Sequence, residues 1–185
     1  MDFPDKKYNI IYADCPWNYD DKNTSGNREL KYDTMSLDDL RFLPVNEIAA
    51  DDCFLFTWVT FPLLREGIQV LESWGFEYKT VAFTWIKENP NGSVFLGMGN
   101  YTRSNPELCL LGKKGKPKVV SHSIENHIRS KIRKHSQKPD IIRDKIVELC
   151  GDVPRIELFA RTKVHGWDTW GNDEKLQSDP LESFF

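Results

Sequence analysis

Two unbroken apolar runs constrain this chain more than any other feature. Residues 8–13 read YNIIYA and residues 53–59 read CFLFTWV. Runs of this length, bounded by polar residues, read as buried strands. The first stops abruptly at Asp14. Further strands are predicted where Val81, Phe83 and Trp85 alternate, at Leu108 to Leu111, and at Arg155 to Ala160 (RIELFA). Helices fall between them. Ser36 can cap a short helix, with Asp38 and Asp39 favourable in its first turn. Pro62 suits the first turn of a helix running to about Trp74, and Gly75 is placed to end it. Between Pro139 and Cys150, Ile141, Ile142, Ile146, Val147 and Leu149 lie near helical spacing, with Gly151 as a stop. Strands alternating with helices predict an α/β fold, with a largely parallel sheet and helices on both faces. Ligands of such sheets sit outside the carboxyl ends of the strands, which is where Asp14 and Arg161 fall.

With 185 residues the chain suits one domain, taken as residues 1–175, with 176–185 as a loosely ordered tail. Residues 18–35 and 88–106 are polar or rich in Gly and Pro, and read as long loops, which in compact domains are functional or disordered. No apolar run approaches the roughly 20 residues of a membrane helix. Met1 to Lys7 is charged and has no apolar core, so a cytoplasmic location without membrane association is expected. Cys15, Cys53, Cys109 and Cys150 are scattered, which argues against a zinc site or a disulfide framework. His122, His127 and His135 lack metal spacing with nearby acids, so no metal is expected.

The net charge of −3 does not by itself suggest a polyanionic partner. Its distribution does. Between Lys113 and Lys138 nine basic residues face one acid, Glu125, whereas the rest of the chain holds 16 basic and 27 acidic residues. Such a block is either an electrostatic footprint for phosphates or a solvated loop. Lys131 and Arg133 lie within it, and Tyr101 and Arg103 lie in the preceding loop. All four are candidates for nucleic-acid contact, with an ordinary surface loop as the alternative.

Asp14-Cys15-Pro16-Trp17 is the segment with the clearest chemistry. The N6 amine of adenine is a poor nucleophile, because its lone pair is delocalised into the ring. Two acceptors for its N–H bonds turn that lone pair outward. A carboxylate at a strand end supplies one, and a carbonyl in the following turn supplies the other. An aromatic ring two residues later can stack on the base. These groups would act by orientation and preorganised hydrogen bonding. A strand end with a polar turn and a packed Trp is the structural alternative.

The wider pattern resembles the MT-A type N6-adenine methyltransferases, whose catalytic motif is Asp-Pro-Pro-Trp after an apolar strand. The likeness runs from about Ile10 to Asp173. It includes Tyr32-Asp33-Thr34-Met35-Ser36, residues 54–60 (FLFTWVT), Trp74-Gly75-Phe76, Trp85-Ile86-Lys87 and residues 107–112 (ELCLLG). It continues through His135-Ser136-Gln137-Lys138-Pro139, residues 156–161 (IELFAR) and Gly171-Asn172. The order resembles the permuted arrangement called class β, in which the catalytic motif precedes the cofactor motif. The resemblance implies a Rossmann-like fold that uses S-adenosylmethionine. It implies that Asp14, Lys138, Glu157, Arg161, Asn172 and Asp173 lie near the cofactor, and that Glu107 is a site residue. Tyr32 can reach the base or belong to the core. Three positions depart from the pattern: Cys15 stands for proline, Lys163 for the eukaryotic His, and Asp173 for Gln.

The expected activity is therefore methyl transfer from S-adenosylmethionine to adenine N6. DNA is the expected substrate, since the short chain resembles bacterial and phage members; RNA is the alternative. A catalytically silent nucleic-acid-binding subunit is the rival from another class. A homodimer or a partner subunit stays open.

Overall fold

The computed structural model describes residues 2–18, 34–133 and 137–171. The elements in order are β1 (Tyr8–Ala13), α1 (Leu37–Phe42), β2 (Ala49–Val59), α2 (Leu64–Ser73), β3 (Glu77–Glu88), β4 (Glu107–Lys114), β5 (His127–Lys131), α3 (Ile141–Cys150), β6 (Arg155–Leu158) and β7 (Asp168–Trp170). Among the described residues, seven strands form one sheet in the order β5-β3-β4-β2-β1-β6-β7. Only β4 runs against the others; it pairs antiparallel with β2 and β3, and all remaining neighbours are parallel. The α/β class and the mostly parallel sheet are as predicted.

The helices lie on both faces, because the strands alternate between two cores. Ile11 and Ala13 of β1 point into one core, with Leu40 of α1 and Val70, Leu71 and Trp74 of the α2 side. Ile10 and Tyr12 point into the other, with Phe56, Trp58 and Phe83 and with Ile142 and Ile146 of α3. Each large side chain so buried stabilises the fold by about 1.5–3 kcal/mol. The caps follow local chemistry. The Ser36 hydroxyl accepts the Asp39 N–H at 3.1 Å, and Gly75 and Gly151 follow α2 and α3 at φ 85° and 90°. A side chain at those angles would be strained.

The structure departs from the sequence reading in three places. Val81, Phe83 and Trp85 do not share one face, because an extra residue shifts the β3–β4 register between Val81 and Phe83. This bulge turns Val81 toward the first core while Phe83 and Trp85 enter the second. Two strands, β5 and β7, escaped the reading altogether. They are three to five residues long and half exposed, at the two sheet edges, so neither carries an apolar signature. Finally, Phe159 breaks the RIELFA run: it sits at φ 59°, and β6 ends at Leu158.

Candidate active site

β1 leaves the sheet at the point where the connections diverge. The chain crosses to β2 on one flank of β1, and β6 joins later on the other. A crevice opens at such a switch point, beyond the carboxyl ends of the strands. Asp14 is the first residue past that end. Because β4 is antiparallel, its first residue, Glu107, lies at the same edge.

Lys138, just before α3, joins the two acids. Its ammonium lies 2.9 Å from Asp14 Oδ1 and 3.1 Å from Glu107 Oε2. Lys87, near the end of β3, reaches Glu107 Oε1 at 2.5 Å. The four side chains thus form an alternating array, Asp14–Lys138–Glu107–Lys87. Trp58 lies beneath it, with its ring 5.7 Å from the Lys138 ammonium. The Trp58 indole donates to the Tyr12 hydroxyl at 2.6 Å, which fixes this floor. Burial by itself would lower Lys138, but Asp14 and Glu107 outweigh it and hold the ammonium well above the ordinary lysine range. Burial would likewise raise Glu107, but Lys138 and Lys87 hold its carboxyl below the usual carboxylate range. Lys138 and Glu107 are therefore a charged pair at neutral pH.

The turn after Asp14 is pinned from several sides. The Trp17 N–H donates to the Cys15 carbonyl at 2.9 Å, and the Met35 N–H to the Pro16 carbonyl at 2.8 Å. The Trp17 ring is buried, and its indole N–H donates to the Trp58 carbonyl at 3.1 Å. The Cys15 thiol is also buried, with its sulfur 3.8 Å from the Thr57 hydroxyl. Burial pushes that thiol up to about 12. It is protonated at neutral pH and is no nucleophile.

The remaining candidates fall in several places. Glu157 is buried in β6, where Arg143 grips both carboxylate oxygens at 2.7 and 2.8 Å. Arg161 lies on the exposed segment after β6. Tyr101 and Arg103 are exposed in the β3–β4 connection, which opens at the Asp14 edge. Tyr32, Asn172 and Asp173 lie outside the described residues.

The basic stretch is divided. Lys131 ends β5 at the Asp14 edge, in register with Glu88. Lys113 and Lys114 end β4, which runs the other way, so they sit at the opposite edge. At about 3.4 Å per residue, Lys113 is roughly 20 Å from Glu107. Arg133 is exposed but engaged within the chain: it pairs with Asp140 at 2.5 Å and donates to the Lys138 carbonyl at 2.8 Å. Lys87 is the residue that sequence reasoning missed as part of the site. Its signal was the Trp85-Ile86-Lys87 segment of the family likeness, but nothing in sequence ties it to Glu107.

These contacts separate two roles that charge alone merges. Lys131→Ala is expected to flatten the slope of log DNA affinity against log salt by about 0.9, one phosphate contact on duplex DNA. Arg133→Ala is expected to leave that slope unchanged and to lower turnover, because it frees the segment carrying Lys138. Filter binding across a salt series, together with initial rates, checks both.

Comparison with known proteins identifies the family. The MT-A70 family profile matches residues 8–173. The type II methyltransferase M.MunI of Mycoplasma sp is 40% identical over 190 residues, covering 91% of this chain and 78% of that protein. The human N(6)-adenosine-methyltransferase catalytic subunit METTL3 is 32% identical over 171 residues, covering 90% of this chain but 28% of the human protein. The mouse N(6)-adenine-specific methyltransferase METTL4 is 27% identical, with 38% of its length covered. The chain thus spans well under half of either mammalian relative. With the profile matched from β1 to beyond β7, and with a relative this similar over most of both lengths, the chain belongs to the MT-A70 family of methyltransferases.

Proposed function

We propose that this protein transfers a methyl group from S-adenosylmethionine to the N6 amine of adenine in DNA. The observation that carries the reading is the Asp14 carboxylate, held by Lys138 at the switch point of the sheet and followed by the pinned Cys15-Pro16-Trp17 turn. The donor set fits the cofactor. Asp14 and Glu107 offer anionic oxygen to its ammonium and sulfonium, and Lys138 and Arg161 offer cationic donors to its carboxylate and hydroxyls. Asn172 and Asp173 are assigned to its ribose or adenine on sequence grounds alone. Glu157 supports the cofactor side indirectly, since Arg143 already occupies both its oxygens.

Bound S-adenosylmethionine supplies an electrophilic methyl. The chain supplies the rest. Asp14 accepts one N6 hydrogen of the target adenine. The Cys15 carbonyl accepts the other: Trp17 takes one of its two lone pairs, and the second remains available. The N6 lone pair is thereby turned out of the ring plane. The proton that N6 sheds leaves toward Asp14, whose paired ammonium keeps the carboxylate oriented throughout. Trp17 fixes the turn from below, and only the margin of its ring is left to meet the base. In duplex DNA the adenine must first leave the stack.

The test is nucleoside mass spectrometry after incubation of matched DNA and RNA oligomers with isotopically labelled cofactor. N6-methyladenine in DNA is the expected result. Methyl found only in RNA would move the substrate to the second reading, which the likeness to METTL3 favours. Calorimetry showing no cofactor binding would instead indicate a silent subunit.

Position 15 gives a sharper check. Only its carbonyl is assigned to chemistry, so Cys15→Pro is expected to retain or raise turnover by stiffening the turn. A folded, cofactor-binding variant without activity would show that the thiol or the native backbone angle is required.

A further inference from the structure

The β3–β4 connection, residues 89–106, is a built structure rather than a loose loop. Its first turn folds back so that the Phe95 N–H donates to the Lys87 carbonyl at 3.1 Å. Gly97 and Ser104 then pair as a small antiparallel hairpin. One buried side chain ties its base together. Asn105 accepts the Lys87 N–H at 2.8 Å and donates to the carbonyls of Lys87 and Phe95 at 2.9 and 2.5 Å. The half-buried Phe95 ring closes over the Lys87 ammonium, 5.8 Å away.

What this base presents is unusual for a soluble surface. Met98 is 81% exposed and Tyr101 fully exposed, with Leu96 at 66% between the base and the tip. Arg103 lies under Met98, its guanidinium 3.3 Å from the sulfur. Residues 89–106 contain no Asp or Glu, in a chain with 28 acids among 185 residues. An apolar, aromatic tip without negative charge suits a polyanion that offers flat apolar faces, which is a description of stacked bases between phosphates. The hairpin joins the end of β3 to Glu107, so it rises from the same edge as Asp14.

We infer that the 97–104 hairpin is a wedge that enters duplex DNA beside the target adenine, with Tyr101 and Met98 filling the gap left in the stack. The inference rests on the adenine reading above and extends it to how a paired base is reached. Inserted apolar side chains stabilise an unstacked step in this way, and base–aromatic stacking tolerates any sequence. Tyr101 supplies the face, Met98 adapts to the neighbouring base, and Arg103 and the nearby Lys131 meet the phosphates.

The experiment uses a random-sequence DNA library, offered either as duplex or as denatured strands, with turnover measured on each. Tyr101→Ala is expected to lower the ratio of duplex to single-strand turnover by about tenfold, the loss of one stacking contact. Tyr101→Phe should restore the ratio, and Tyr101→Lys should not, although it adds charge. An unchanged ratio in Tyr101→Ala and in the Met98→Ala/Tyr101→Ala double variant overturns the wedge while leaving the methyl-transfer reading intact. A change in sedimentation in place of the ratio overturns it too, and assigns the tip to a protein contact between copies. Absence of N6-methyladenine from both DNA forms with the unmodified protein overturns the reaction reading and the wedge together.

Discussion

Asp14→Ala is expected to abolish methyl transfer and to leave the fold standing. The carboxylate is the one side-chain acceptor assigned to the N6 amine, and a preorganised group of this kind is worth about 3–4 kcal/mol, or roughly a hundred- to a thousandfold in turnover. The surrounding charges explain why the fold survives. Without Asp14, the Lys138 ammonium still has Glu107 at 3.1 Å, so no charge is buried alone. Turnover, thermal unfolding and cofactor calorimetry should be measured on one preparation. Activity above a tenth of the unmodified level, in a folded protein, would falsify the assignment.

Lys138→Met is expected to act in the opposite order, on stability first. Lys138 is 9% exposed at its side chain and serves two carboxylates that are 20% and 13% exposed. Removing one partner of a buried ion pair costs about 3–5 kcal/mol. For a domain of this size the melting temperature should fall by roughly 10 °C. Cofactor affinity and turnover should fall with it. The deficit should depend on pH in a definite direction. Glu107 is held below its unfolded value, so its contribution is present above the ordinary glutamate range and is lost as pH falls through the folded value. Lys138 is held above its unfolded value, so its contribution is present below the ordinary lysine range and is lost only as pH rises beyond it. Between about pH 5 and 10 the Lys138–Glu107 pair is intact in the unmodified protein. In the variant, Glu107 loses one of its two cations, and a proton can replace it. The gap in melting temperature should therefore narrow as pH drops toward 4. A gap independent of pH would show that the ammonium matters for packing alone.

The sequence disclosed what is local and hid what is collective. YNIIYA was legible as a buried strand because every residue in it is apolar, and Asp14 stood out as the break. Ser36, Gly75 and Gly151 marked helix ends through their own backbone chemistry. The direction of β4 left no trace, since an antiparallel strand inside a parallel sheet has the same composition as its neighbours. That direction brings Glu107 to Lys138 and carries Lys113 away, so a basic block continuous in sequence is split in space. Lys87 and Glu107 are 20 positions apart along the chain yet in contact. Trp17 looked like an open platform, but its indole N–H points down to the Trp58 carbonyl.

The placement of β1 bears on how the protein is made. Its partners lie far apart along the chain: Ile10 faces Phe54 on one side and Arg155 on the other. As the polypeptide leaves the ribosome, β1 and β2 can pair early, while the far flank of β1 stays an open, apolar edge. Such an edge invites pairing with other chains. It closes only after α3 has formed and β6 has emerged, and the long loop this requires makes the step slow. Asp14 and Lys138 meet only at that stage. A stalled or truncated chain therefore cannot methylate, and activity reports that synthesis has run past β6.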